Sequence, residues 1–116
     1  MSNTEQHSAD FVPVKERSEL DELFRRSNEH PVVLFKHSSM CSISADTYQE
    51  MTHYPGRVEL IVIQQTRSLS DEIENRTGLR HESPQVIVLS KGKPVFHESH
   101  WRIKADAVAQ AVKEHS

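Results

Sequence analysis

Val32-Val33-Leu34-Phe35-Lys36-His37-Ser38-Ser39-Met40-Cys41-Ser42-Ile43-Ser44 is the stretch that decides how this chain is read. Its first four residues form a continuous apolar run, as in a strand covered on both faces. A helical pattern leads out of it, roughly from Ser42 to His53. Between them sits Cys41, the only cysteine of the chain. At a strand-to-helix junction, helix amides and the macrodipole stabilise a thiolate, the form of cysteine that attacks disulfides and binds metals. Lys36 and His37 add positive charge nearby, and the surrounding serines argue for exposure. A free cysteine is also a small apolar residue that packs into cores without reacting. The position at a polar junction favours the reactive reading. With one thiol, no disulfide closes within the chain, and any disulfide chemistry must use a sulfur from elsewhere.

Upstream, Phe11-Val12-Pro13-Val14 reads as a short edge strand, because Pro13 excludes a central one. Ser18, with Asp21 three residues on, reads as the N-cap of a helix carrying Leu20, Leu23 and Phe24 inward. Pro31 ends that helix. Downstream, Ile43, Tyr48 and Met51 supply the inner face of the second helix, and Pro55-Gly56 is a turn. Val58 to Ile63 is the next strand. Ser68 with Asp71 caps a third helix that Gly78 closes. After the break His81-Glu82-Ser83-Pro84, Val86 to Leu89 is a strand. Ser90-Lys91-Gly92-Lys93 is a hairpin turn, and Val95-Phe96-His97 the partner strand. A last helix runs from about Ile103 to Lys113. The order is β-α-β-α-β-α-β-β-α. Its first half requires right-handed crossovers between parallel strands, and its second half supplies an antiparallel hairpin. The expected fold is α/β: a thioredoxin-like three-layer α/β/α sandwich with a mixed central sheet. Residues 1–10 read as a polar tail and 11–116 as one domain.

Composition narrows the function. The 116 residues suffice for one modest core, and a net charge of −3 gives no basic footprint for nucleic acid. No apolar run approaches the ~18 residues of a membrane span, and the first ten residues lack a hydrophobic signal core. A lone unpaired cysteine suits a reducing compartment, so the expected location is the cytoplasm.

Three further features bear on Cys41. In two-cysteine redox sites the partner sulfur lies three residues after the nucleophile. Here Ser44 holds that place. Its hydroxyl either hydrogen-bonds the thiolate or simply satisfies first-turn helix amides; the sequence leaves both open. It closes no disulfide, so the remaining chemistry is one-thiol exchange. Pro84 opens a strand after Glu82-Ser83. In a thioredoxin-like fold this position holds a cis-proline beside the thiol, with the backbone of Ser83 free to pair with a bound disulfide; otherwise it is a trans-proline that starts a strand. Among the eight histidines, His97 and His100 invite a metal reading, but zinc sites need three or four converging ligands, so no metal site is expected. His37 and His81 flank the thiol and either tune it or are merely polar. Trp101 reads as a cover over the sheet edge.

Lys36-His37-Ser38 through Cys41 to Ser44, then His81-Glu82-Ser83-Pro84-Gln85, then His97 and Ser99-His100-Trp101 to Ile103, resemble the monothiol bacilliredoxins. The resemblance runs from about Val14 to the C-terminus. It implies a thioredoxin-like fold and a bacterial, cytoplasmic enzyme that removes bacillithiol from S-bacillithiolated proteins. It matches the family cysteine to Cys41 and the cis-proline to Pro84. Many members have proline directly after the cysteine where this chain has Ser42, whose N–H is then available to the thiolate. The implied roles are Cys41 as nucleophile, Ser83 and Pro84 as substrate platform, Ser44 and Ser42 beside the thiolate, and Lys36 on a bacillithiol carboxylate. No bound cofactor is implied. Bacillithiol is the co-substrate, and bacillithiol or another redoxin the reductant. The competing readings are a non-catalytic thioredoxin-like binding module or redox sensor modified at Cys41, and a metal-binding accessory protein.

Overall fold

A computed structural model describes residues 8–38 and 42–116, with Ser42 and Ile43 described by backbone only. Its strands are β1 (Asp10–Pro13), β2 (Val32–His37), β3 (Arg57–Val62), β4 (Gln85–Ser90) and β5 (Lys93–Ser99). The helices are α1 (Arg17–Arg26), α2 (Ser42–Met51), α3 (Arg67–Thr77) and α4 (Ala105–Glu114), with a 3₁₀ turn at His100–Arg102. The strands form one sheet in the order β1-β3-β2-β4-β5. β1, β3 and β2 are parallel, whereas β4 runs antiparallel to both β2 and β5. The mixed sheet and the element order follow the sequence reading, with β1 at an edge as Pro13 requires.

Alternation along each strand builds two cores. Val33 and Phe35 of β2 join Val86 and Val88 of β4 on the face covered by Met51 of α2 and Val108 and Ala111 of α4. Val32 and Leu34 join Ile87 and Leu89 on the face covered by Leu20 and Leu23 of α1 and Leu69 and Ile73 of α3. Helices therefore lie on both faces, and the three-layer expectation holds. Lys36 continues the parity of Val32 and Leu34, so it enters the α1/α3 side.

Several boundaries differ from the sequence reading, each for a local reason. α1 is capped at Glu16 rather than Ser18, because the Glu19 carboxylate reaches back to the N–H groups of Lys15 (2.8 Å) and Glu16 (3.0 Å). α3 begins after Thr66, two residues before Ser68, and the Thr66 hydroxyl is committed to the Val62 carbonyl at 3.0 Å. α4 starts at Ala105, not Ile103: Glu50 of α2 accepts the Ala105 N–H at 2.9 Å and caps it from another helix. α2 stops at Met51, short of His53. β1 begins at Asp10, inside the stretch read as tail, and Ala9 packs on the core. Gly78 closes α3 in the left-handed region (φ 74°) as read, and the hairpin turn places Lys91 and Gly92 at φ 55° and 75°. That pair of positive values is what a two-residue hairpin with strand-like twist demands. The turn is anchored to the end of α1, where Ser27 accepts the Lys91 and Gly92 N–H groups at 2.7 and 2.9 Å.

Candidate functional site

The C-terminal end of β2 is where the chemistry-bearing residues gather. Cys41 itself, with Ser39 and Met40, lies outside the described residues, as does the side chain of Ser42; the surroundings are described up to that gap. Beyond the strand, the Ile63 N–H donates to the His37 carbonyl at 2.9 Å. Gln64 Nε2 donates to Ser38 Oγ at 2.7 Å, which ties the segment before Cys41 to the β3–α3 connection. From the other side, Ser44 Oγ accepts the Ser38 N–H at 3.2 Å. Ser44 is fully buried in the first turn of α2. The hydroxyl serves a backbone N–H, but one upstream of the helix rather than in its first turn, and its reading as a partner of the thiolate falls on Cys41, outside the described residues. Accepting that bond leaves its own O–H hydrogen free to be donated.

The Ser83–Pro84 peptide is cis. Pro84 is buried, and its carbonyl accepts the His100 N–H at 3.0 Å, so the 3₁₀ turn is fastened to this segment. The same turn packs against α2. The helix that follows Cys41, the Ser83–Pro84 segment and the 3₁₀ turn thus adjoin one another. Three buried side-chain atoms here have no hydrogen-bond partner among the described residues: Ser83 Oγ, Gln85 Oε1 and His37 Nδ1. Buried polar atoms normally find partners, so their concentration at one end of the sheet marks this end as a site rather than a core.

Lys36 occupies a different place from the one foreseen. As a direct partner for a bacillithiol carboxylate it would need an exposed ammonium, but its residue surface is 0% exposed. The side chain runs along the α1/α3 face, opposite Gln85 on β4, and Nζ lies 3.0 Å from His81 Nδ1. Ser70 Oγ of α3 meets the same nitrogen at 2.8 Å. An ammonium only donates, so His81 Nδ1 accepts and the ring proton sits on Nε2. Burial pulls the Lys36 pKa down to about 8, against the opposing pull of Glu74, Glu82 and Asp71. Burial, with the Lys36 charge second, also lowers His81. His81 is therefore more than a polar flank: it is the partner of a buried cation. The His37 pKa is lowered by burial as well, partly offset by a bond to the Ser44 backbone, and its ring lies among Phe35 and Tyr48.

Trp101 also departs from its reading. Rather than lying as a cover on the sheet edge, it is 61% exposed on the 3₁₀ turn. The sequence signal for this was the run Ser99-His100-Trp101-Arg102, too polar to bury an indole. The Lys36–His81 contact had no such signal, since the two residues are 45 apart in the chain. Among the described residues, no group of three or more His, Cys, Asp or Glu side chains converges as a metal site. No described helix is long and apolar enough to cross a membrane.

A family model described as "Monothiol bacilliredoxin BrxC" matches residues 12–108. Among solved structures, "a putative oxidoreductase with a thioredoxin fold" is 28% identical, with a TM-score of 0.78, 87% of this chain and 92% of that chain covered. A thioredoxin of Schistosoma mansoni is 12% identical, with a TM-score of 0.70 and coverage of 92% and 96%. A thioredoxin mutant of Halobacterium salinarum is 14% identical, with a TM-score of 0.65 and coverage of 91% and 90%. The last two speak for the fold alone.

Proposed function

The chain belongs to the monothiol bacilliredoxin family, and from that premise we propose that it lifts bacillithiol from S-bacillithiolated proteins by one-thiol exchange at Cys41. The observation that carries the reading is this family membership in a chain with a single sulfur nucleophile. A thiol-disulfide oxidoreductase so built exchanges one thiol at a time. The Cys41 thiolate attacks the bacillithiol sulfur of a protein mixed disulfide. The S–S bond breaks, the protein sulfur leaves as thiolate and takes a proton from water, and Cys41 carries bacillithiol. A second bacillithiol thiolate then attacks the carried sulfur and frees Cys41, leaving bacillithiol disulfide; another redoxin thiol serves equally.

The surroundings support each step. Ser44 retains an O–H hydrogen to donate to the thiolate once Ser38 N–H is accepted. Ser42 opens α2, so its N–H is among those with no intrahelical acceptor. Ser83 and Pro84 form the platform, where Ser83 Oγ, without a partner among the described residues, is a polar group open to substrate. Lys36, held by His81, contributes a buried positive charge to the strand end before Cys41, which favours the thiolate through the protein rather than by touching substrate. The location that suits the reaction is a reducing cytoplasm, where such mixed disulfides are transient.

Cys41→Ser tests the assignment. It should abolish transfer while leaving far-ultraviolet circular dichroism and the thermal midpoint unchanged. Retained transfer by a folded Cys41→Ser protein would overturn the reading.

A further inference from the structure

Trp101 is the only large hydrophobic side chain exposed among the described residues. An exposed indole forgoes the burial that this residue type ordinarily gains, so an exposed one calls for a partner. Its setting is fixed. His100, which opens the turn, has φ 56°, uncommon for a residue with a Cβ, and its N–H is bound to the Pro84 carbonyl. The turn ends in Ile103, buried in the core, and packs on α2. The indole is thus a platform held beside both α2 and the cis-proline segment. It borders a groove of about 420 Å³ whose other walls include Glu82, His97, Glu98, His100 and Arg102. Glu82 and His100 lie 3.5 Å apart across it.

We propose that this groove binds the sugar ring of a glycosylated thiol, with Trp101 stacking on the ring. This rests on the de-bacillithiolation reading and extends it to the half of the small thiol that does not react. A pyranose presents an apolar C–H face and a rim of hydroxyls. One aromatic plate surrounded by carboxylates, imidazoles and a guanidinium matches that pattern. The amine of an amino sugar finds Glu82 and Glu98, and an acid substituent finds Arg102. An apolar segment of a target protein fits less well, because Trp101 stands among polar neighbours with no second large exposed apolar side chain among the described residues. Bacillithiol, a cysteine carried on glucosaminyl malate, has each of these parts.

Trp101 is the sole tryptophan, so its fluorescence reports the groove directly. The probe is glucosaminyl malate, which lacks the thiol and cannot react. A saturable change in emission is expected, and a flat titration overturns the subsite. Kinetically, Trp101→Ala should raise KM for a bacillithiol-carrying protein about tenfold, the equivalent of about 1.4 kcal/mol. It should leave kcat and the alkylation of Cys41 by iodoacetamide near wild type, and Trp101→Tyr should restore most of the loss. With the same protein carrying glutathione instead, KM should not change. An equal rise for both substrates overturns the sugar assignment, since the surface then reads the target protein. Failures of the two readings separate cleanly. If no bacillithiol is transferred yet the glycoside still perturbs Trp101, the transfer reading falls and the subsite stands. If transfer proceeds while the titration is flat and KM is unmoved, the subsite falls and the transfer reading stands.

Discussion

Two charged side chains are buried on the same face of the sheet, and their surroundings differ. Glu59 of β3, 3% exposed, is held by Arg57 at 2.6 Å and Arg26 at 3.3 Å. Lys36 of β2 is more deeply buried, yet among the described residues it meets an imidazole and no carboxylate within ion-pair distance. The Glu59 cluster sits in mid-sheet, one strand from Leu34, and satisfies itself. Lys36 lies two positions further, at the strand end that leads to Cys41. A buried carboxylate with two guanidinium partners is a closed structural unit. A buried ammonium with a neutral partner has charge left over for an anion, and the thiolate chemistry supplies one.

The contrast can be broken by substitution. Glu59→Gln should cost about 2 kcal/mol in urea unfolding, less than a fully buried pair because both arginines can turn to water, and should leave thiol exchange untouched. Lys36→Met should behave oppositely. The protein should be as stable or about 1 kcal/mol more stable at neutral pH, and should exchange thiols more slowly at neutral pH. A Lys36→Met protein that unfolds more easily and exchanges normally would erase the contrast.

The pH dependence of stability sharpens it. The Lys36 pKa falls to about 8 in the folded state, below its ordinary 10.5. Between those values the unfolded chain binds the extra proton, so stability rises with pH. Below pH 8 the group is charged in both states and its burial penalty is complete. Urea midpoints from pH 8 to 10.5 should climb in the wild type relative to Lys36→Met. Parallel curves would show that Lys36 keeps its ordinary affinity for protons. The smallest effect belongs to a third charged side chain, Glu50, which is half-buried and bound to the Ala105 N–H. Glu50→Ala should cost about 1 kcal/mol, the usual worth of a helix cap, with no change in exchange rate.

Apolar periodicity and turn chemistry made the fold legible. The runs at 32–35, 60–63 and 86–89 are continuous because both sheet faces are covered, and Lys91-Gly92 and Gly78 punctuate where positive φ is needed. Cap positions were less legible. Ser18 and Ser68 are good caps in isolation, but Glu19 reaches back past the first, Thr66 precedes the second, and Ile103 was lost to a cap supplied by Glu50 of another helix. At the site, the cis peptide before Pro84 was legible through the element order. The destination of Lys36 was not, because a lysine closing an apolar strand looks like a surface residue until His81 and Ser70 are brought over it. Trp101 failed for the opposite reason: an indole is ordinarily buried, and the polar run around it, Ser99-His100-Trp101-Arg102, was the signal that it stays outside.

In the proposed reaction Cys41 takes bacillithiol onto itself and passes it on. An intact-mass time course tests it most directly, with reduced protein mixed first with a substoichiometric amount and then an excess of an S-bacillithiolated protein. A bacillithiol adduct on Cys41 should appear as the substrate thiol is freed, and disappear when free bacillithiol is added. A Cys41 that stays unmodified under these conditions, while iodoacetamide labels it readily, would rule out transfer of bacillithiol through this thiol.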